Sequence, residues 1–270
     1  MAQLADQGML DLGAEKLEYR MIGPRPEAAP TIVMLHEGLG SVAMWNAFPD
    51  EVAKATGCGV FVYSRAGYGQ SSQAKLPRQI TYMHDEANVT LPRLLDAVGV
   101  QRGLLLGHSD GASIAAIYAG SHQDHRIGGV ILMAPHFIVE DVSVASIAQA
   151  REAYDNGDLR ARLAKYHADV DNAFRGWNDA WLDPSFRRWD ISEELAYIRV
   201  PVLIIQGEDD QYGTAKQIEI AQEECYCPVD VALLPGVKHH PHREAAAETL
   251  RAITDFTGRV FQPAGQASAA

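Results

Sequence analysis

The chain has 270 residues, 47% of them hydrophobic, and a formal net charge of −12 at pH 7. This length suffices for one large α/β domain with a substantial core, and the negative charge argues against nucleic acid or an anionic membrane surface as a partner. We find no apolar run of signal-peptide or membrane-spanning length, and the three cysteines include a pair, Cys225 and Cys227, too close for an easy bridge. We therefore expect a cytoplasmic protein with free thiols.

The amino-terminal part of the chain predicts a hairpin followed by a buried strand. Residues 8 to 22 read as two short antiparallel strands, and residues 31 to 40 read as an apolar strand that runs into a glycine-containing turn. Residues 38 to 43 also match the pattern G-x-G-x-x-A, and Arg65 follows the next strand, as in a reductase that binds a phosphorylated dinucleotide. This alternative is disfavoured because that fingerprint usually lies near the chain start, whereas here a hairpin precedes it.

The centre of the chain contains a G-x-S-x-G pattern around Ser109. An apolar run, Leu104 to Leu106, enters Gly107-His108-Ser109-Asp110-Gly111, and a segment rich in small residues follows. A serine between a strand and a helix in this pattern is typical of a nucleophile elbow, in which a strained turn exposes the hydroxyl. The glycines two before and two after the serine leave room for that turn.

Two later strand patterns end in residues that could complete a catalytic set with this serine. Residues 200 to 207 end in Glu208-Asp209-Asp210, and residues 229 to 234 run into a loop that contains His239 and His240. The chain order is therefore serine, acid, histidine, which is the order of α/β-hydrolases and differs from the chymotrypsin and subtilisin orders.

The segment between Val139 and Arg199 contains no apolar strand pattern and several helical ones. We interpret residues 139 to 199 as a helical cap (lid) inserted after the sixth strand, which would roof the Ser109 site and exclude water. Most of its aromatic side chains are expected to attach the cap to the sheet, and Trp177 and Trp181 are the favoured candidates to face the pocket.

These landmarks together resemble the α/β-hydrolase-fold serine hydrolases, specifically esterase-like members with a helical cap. The resemblance extends over nearly the whole chain, and it implies a mostly parallel sheet flanked by helices. The core domain would comprise residues 1 to 138 and 200 to 261, with the cap at 139 to 199. The tail at 262 to 270 is expected to be disordered.

The resemblance assigns the acid to Asp210, three residues after the glycine that closes its strand. Asp209 is the alternative acid. In the family the histidine commonly follows a glycine, but Lys238 precedes His239 here, and this departure leaves His240 as a competitor. We favour His239 because the residues after His240 read as the first turn of the last helix.

The chemistry of acyl transfer gives each of these residues a role. Ser109 would attack the carbonyl carbon, His239 would take and return its proton, and Asp210 would fix the histidine tautomer. The oxyanion would be bound by two backbone amides, one from Asp110 and one from Gly38 in the turn after the first buried strand. Leu39 is a less favoured donor than Gly38.

Two polar side chains are candidates for substrate binding. Glu37 stands where the family usually has glycine, and its carboxylate beside the oxyanion site would disfavour anionic acyl groups; alternatively it points into solvent or caps the next helix. His136 follows a strand and would face the pocket, or else cap that strand.

The histidine-rich loop raises the alternative of a metal site. His239, His240, His242 and Glu244 are close in sequence, but no H-E-x-x-H pattern or metal-binding cysteine pair accompanies them. We therefore expect neither a metal nor a cofactor.

The sequence favours a carboxylic-ester hydrolase acting on a small-molecule, ester-like substrate. The alternatives are a cofactor-independent carbon-carbon bond hydrolase or lyase on the same fold, and a ligand-binding receptor that retains the catalytic residues. Epoxide hydrolases and dehalogenases are disfavoured because they typically have aspartate at the position of Ser109. Association into a homo-oligomer stays open.

Overall fold

The computed structural model describes residues 4 to 261, and its centre is one eight-stranded sheet. The order across the sheet is β1-β2-β4-β3-β5-β6-β7-β8, with β1 and β2 antiparallel and β3 to β8 parallel. The strands are β1 (Gln7–Asp11), β2 (Lys16–Ile22), β3 (Thr31–Leu35), β4 (Gly59–Tyr63), β5 (Gly103–His108), β6 (Ile127–Met133), β7 (Val202–Gly207) and β8 (Val229–Leu234). The predicted hairpin is β1 and β2, and the predicted mostly parallel α/β-hydrolase sheet is confirmed.

Eleven α-helices accompany the sheet within the described residues. They are α1 (Phe48–Thr56), α2 (Tyr82–Asp85), α3 (Leu91–Val98), α4 (Asp110–Ser121), α5 (Asp141–Asp155), α6 (Leu159–Leu163), α7 (Val170–Trp181), α8 (Ser192–Leu195), α9 (Lys216–Glu224), α10 (Pro241–Glu244) and α11 (Ala246–Phe261). Short 3-10 helices lie at Val42–Trp45 and Pro184–Arg188, and a π-helical turn lies at Glu86–Thr90.

The core consists of two apolar layers, one on each face of the sheet. In β3, Ile32 and Met34 point into the layer under α1 and α11, whereas Val33 and Leu35 point into the layer shared with α3 and α4. Both faces of the central strands are therefore buried, as is usual for parallel strands covered by helices on both sides. This burial fixes the carboxyl ends of β3, β5 and β7 at one edge, where the predicted site residues follow.

The segment between β6 and β7 forms five short helices, α5 to α8 and the 3-10 helix Pro184–Arg188, with one isolated bridge between Ile138 and Asp190. None of the helices in residues 4 to 261 combines the length and apolar character that crossing a bilayer requires. The tail predicted to be disordered, 262 to 270, lies outside the described residues.

Candidate active site

Ser109 occupies a strained turn between β5 and α4. Its backbone has φ 54° and ψ −119°, a conformation that non-glycine residues rarely adopt. A Cβ at Gly107 would lie 2.1 Å from the Gly111 carbonyl oxygen, and one at Gly111 would lie 2.1 Å from the Leu35 carbonyl oxygen. The two glycines are therefore required by close backbone contacts on either side of the serine, and the turn has the geometry of a nucleophile elbow.

Asp210 and His239 form a buried pair at the ends of β7 and β8. His239 Nδ1 lies 2.9 Å from both carboxylate oxygens of Asp210. Burial opposes ionisation of Asp210, but the hydrogen bond and charge of His239, together with the Tyr212 amide, hold its pKa below the usual value. Because a carboxylate can only accept, Nδ1 carries the proton and Nε2 is left with a lone pair. Asp209, the alternative acid, is exposed.

The loop that carries His239 is fastened to the end of the elbow strand. The ring of His108 hydrogen-bonds through Nε2 to the His239 carbonyl oxygen at 2.8 Å, and the two rings lie 5.2 Å apart. Among the described residues no hydrogen bond joins the Ser109 hydroxyl to His239, although the two side chains belong to neighbouring segments at the same edge of the sheet. Such bonds are often long in free enzymes and tighten when substrate binds.

The turn after β3 is held by a buried arginine. Arg65 is 1% exposed, and its guanidinium donates to the carbonyl oxygens of His36 and Glu37, the latter at 3.1 Å. The Arg65 amide also donates to His36 Nε2 at 3.0 Å, so the protonated Nδ1 of that ring donates to the Glu37 carbonyl oxygen at 2.6 Å. Arg65 therefore holds the backbone of this turn in place. Because its guanidinium is engaged in these bonds, it is not available for a nucleotide phosphate, which removes the main support for a dinucleotide-binding reductase.

Gly38 lies against Trp177 of α7. A Cβ at Gly38 would lie 2.1 Å from Trp177 Nε1 and 2.4 Å from its Cδ1. Only glycine fits between the turn and this side chain, which places the Trp177 indole directly over the predicted oxyanion donor. The segment Gly38 to Ala43 continues into the short 3-10 helix Val42–Trp45 instead of the long helix that follows a dinucleotide fingerprint.

Asp110, the residue after the nucleophile, is the first residue of α4. The amides of the first helical turn lack carbonyl partners within the helix, so the Asp110 N–H is a suitable oxyanion donor. Its carboxylate is buried and turned away into a polar cluster, where it accepts from the Tyr82 hydroxyl at 2.5 Å and from Trp181 Nε1 at 3.1 Å. Burial, opposed by the positive charge of Arg65, raises the pKa of Asp110 above its usual value.

The Glu37 carboxylate is buried instead of pointing into solvent or capping a helix. Its Oε2 lies 3.5 Å from His108 Nδ1, and its Oε1 lies 3.9 Å from the guanidinium of Arg243. Burial works against ionisation, but the proximity of His108 at 3.5 Å holds the Glu37 pKa well below the usual value. A negative charge is thus present beside the turn that contains Gly38.

A cavity of about 170 Å³ opens beside His239 and Gly38. His136 forms part of its wall, with its ring 5.8 Å from that of His239, and burial together with the charge of His239 lowers the His136 pKa to about 3. Trp177 lines the cavity, whereas Trp181 does not, because its indole is only 1% exposed and bonds to Asp110. The wall comprises Glu37, Gly38, Leu39, Met44, His136, Ile147, Leu163, Trp177, Tyr212, His239, His240 and Arg243.

Two of the four residues considered above as metal ligands, Glu244 and His239, have other partners in the structure. The carboxylate of Glu244 accepts from the amides of Lys238 and His240, at 2.8 and 3.1 Å, so it serves the loop backbone. His239 is committed to Asp210, while His240 and His242 turn toward His108.

The roles of Arg65 and His108 in this site are not predictable from local sequence pattern. The sequence suggests for Arg65 only the dinucleotide-phosphate role considered above, and its partners His36 and Glu37 lie 29 and 28 positions away. An arginine directly after a buried strand was the one available signal.

Comparison with known proteins agrees with the fold described above. Residues 30–176 match the family described as alpha/beta hydrolase fold. The chain is 27% identical over 225 residues to the bifunctional esterase/perhydrolase DCH of Acinetobacter calcoaceticus, covering 72% of this chain and 78% of that protein. It is 23% identical over 248 residues to a proline iminopeptidase of Lactobacillus delbrueckii subsp. bulgaricus, covering 78% and 83%. Among solved structures, a carboxylesterase from Nitrososphaera gargenis superposes with a TM-score of 0.76 at 19% identity, covering 94% and 98%.

Proposed function

Because the chain belongs to the α/β-hydrolase fold family and is a hydrolase of that family, we propose that it cleaves a carboxylic ester through an acyl-enzyme on Ser109. The observation that carries this proposal is the serine in a strained elbow at the same sheet edge as a buried His239–Asp210 pair. A peptidase also occurs among its relatives, so cleavage of an ester instead of a peptide bond is part of this proposal.

In the proposed reaction, the Ser109 oxygen attacks the carbonyl carbon while its proton passes to His239 Nε2. Asp210 keeps the other ring nitrogen protonated and stabilises the imidazolium. The oxygen that gains negative charge accepts from the amides of Asp110 and Gly38. The alcohol leaves with the proton from His239. Water then attacks the acyl carbon while His239 takes its proton, and the ring returns that proton to the Ser109 oxygen as the acid leaves.

The substrate class follows from the cavity and its charges. A volume of about 170 Å³ is small for a ligand pocket, and apolar side chains from the cap segment and the turn form much of its wall. The ionised Glu37 beside the turn disfavours a second negative charge close to the proposed oxyanion. We therefore expect short, neutral acyl groups to be preferred.

The proposal is tested by ester hydrolysis with matched variants. Turnover of 4-nitrophenyl butyrate should fall by several orders of magnitude in Ser109→Ala and in His239→Ala, as expected when members of one catalytic unit are removed. The control is His125→Ala, on an exposed histidine outside the site, and His240→Ala tests the competing candidate for the base, a side chain that does not contact Asp210. A large loss in His240→Ala with little loss in His239→Ala would overturn the assignment of the base.

The substrate preference is tested by two comparisons of rates. kcat/KM should fall from the butyrate to the decanoate ester, and the neutral butyrate should be cleaved faster than the anionic hemisuccinate of similar size. Equal rates for the neutral and anionic esters would contradict the role of Glu37. Absence of any ester turnover in a protein that still reacts with an organophosphonate would favour a carbon-carbon bond hydrolase or a binding protein.

A further inference from the structure

Three histidines from separate segments lie close together beside the turn that contains Glu37 and Gly38. They are His108 at the end of β5, His240 in the loop after β8, and His242 in α10. One ring nitrogen from each lies within 4.8 Å of the others, and His108 and His242 are 0% and 4% exposed. None of these three rings has a role in the proposed hydrolysis.

The tautomer of His108 is fixed by its backbone partner. Its Nε2 lies 2.8 Å from the His239 carbonyl oxygen, which can only accept, so Nε2 carries the proton and Nδ1 of the neutral ring carries a lone pair. This Nδ1 has no hydrogen-bond partner within residues 4 to 261, yet it faces Glu37 Oε2 at 3.5 Å. Two lone-pair atoms facing each other call for a cation, either a second proton on the ring or a metal ion.

The other two rings also present unused nitrogens. Both nitrogens of His242, packed 5.0 Å from the ring of Trp45 and 5.3 Å from that of Phe48, lack a partner in the described part of the chain, as does Nδ1 of His240.

Glu37 is held in reach of this cluster by the shape of its own turn. A Cβ at Gly40 would lie 2.4 Å from Glu37 Oε2, so the absence of a side chain at Gly40 is what lets the carboxylate occupy this position. Three imidazoles and one carboxylate form a donor set that suits zinc, and a ligating histidine typically donates its other N–H to a backbone carbonyl, as His108 does.

We propose that His108, His240 and His242, with Glu37 as the fourth ligand, bind one divalent transition-metal ion of the zinc class. Metal-nitrogen bonds of about 2.0–2.1 Å in a tetrahedron place the donors about 3.3 Å apart, so the ring nitrogens draw together by up to about 1.5 Å on binding. The ion joins the segments that carry the oxyanion donor, the nucleophile and the base, and its role is to hold them together. Binding does not depend on the proposed esterase activity, and the proposed preference for neutral esters refers to the metal-free protein, because a bound ion offsets the charge of Glu37.

The site is tested with the full chain, freed of any affinity tag and dialysed against a chelator. Titration calorimetry with Zn²⁺ should give one ion per chain, and Co²⁺ should produce the intense visible absorption of a tetrahedral site. His240→Ala should weaken Zn²⁺ binding at least about 100-fold and abolish the cobalt spectrum. The matched control, His125→Ala, removes an exposed histidine outside the cluster and should change neither.

Glu37→Gln provides a second variant that keeps the size of the side chain and all three rings, in case the alanine variant is unstable. It should weaken Zn²⁺ binding while circular dichroism shows an unchanged fold. Wild-type protein without stoichiometric binding would overturn the proposal and leave a protonated His108 as the cation beside Glu37. Binding that His240→Ala and His125→Ala reduce equally would also overturn it, because the ion would then be bound at the surface.

Discussion

Replacement of Gly38 by alanine tests the placement of the oxyanion donor. The added methyl group would lie 2.1 Å from Trp177 Nε1, whereas ordinary contact begins at 3.4 Å, so the turn or the indole must move by about 1.3 Å. Trp177 is 7% exposed, its ring centroid lies 6.0 Å from that of Phe174, and its indole also lines the cavity, so we expect the turn and the indole to share the shift.

A displacement of about 1 Å at an oxyanion donor costs on the order of 100-fold in rate. This corresponds to about 2.7 kcal/mol of activation free energy. We therefore expect kcat for a short-chain aryl ester to fall about 100-fold in Gly38→Ala, with a smaller change in KM, because the donor acts mainly on the transition state.

Two further variants separate the collision with Trp177 from other effects of the substitution. Gly258→Ala, at a helical glycine with open space around it, should leave kcat unchanged. In a Trp177→Ala background, the same Gly38→Ala change should cost less than about threefold, since the obstructing ring is gone. Wild-type kcat in Gly38→Ala, or an undiminished loss in the Trp177→Ala background, would refute the reasoning.

Three other substitutions test the surrounding contacts. Asp210→Asn should lower kcat by about 10³- to 10⁴-fold in a steady-state ester assay, because His239 would no longer be held in the tautomer with its proton on Nδ1. Asp209→Asn, on the exposed neighbour, should have little effect, and similar losses in both variants would contradict the pairing of His239 with Asp210. Arg65→Met should lower the free energy of unfolding in urea by about 3 kcal/mol, because the buried carbonyl oxygens that Arg65 serves lose their donor; the exposed Arg188→Met is its control, and equal midpoints would count against the role. In the folded protein the pKa of His136 is about 3, below its ordinary value of about 6.5, so the unfolded chain binds a proton at this residue first as the pH falls. This group therefore lowers the free energy of unfolding by up to about 1.4 kcal/mol per pH unit from about pH 6.5 toward pH 3. Urea unfolding from pH 7 to pH 5 should show a shallower decline in His136→Leu, and an unchanged slope would show that His136 is not held neutral.

The elbow and the order of the site residues were readable from the sequence because short-range constraints define them. Ser109 lies between two glycines that backbone contacts require, and the apolar run before it is buried on both faces. Asp210 follows a strand that must lie in the sheet, so its place at the carboxyl edge follows from the strand itself.

The contacts that the sequence did not reveal join residues far apart in the chain. His108 meets His239 across 131 positions, and Arg65 meets His36 across 29, and neither pair belongs to a period or a motif. The preference between Trp177 and Trp181 could not be resolved for the same reason, since both lie four residues apart on α7 and only packing shows that one lies over Gly38 and the other on Asp110. Partners of this kind depend on strand order and helix rotation, which local pattern does not encode.

Covalent labelling of the nucleophile tests the central claim most directly. The protein is treated with an organophosphonate probe, digested, and mapped by peptide mass spectrometry. We predict one adduct, on the Ser109 hydroxyl, absent in Ser109→Ala and formed far more slowly in His239→Ala. Labelling at another residue, or equal labelling of wild type and Ser109→Ala, would contradict the account.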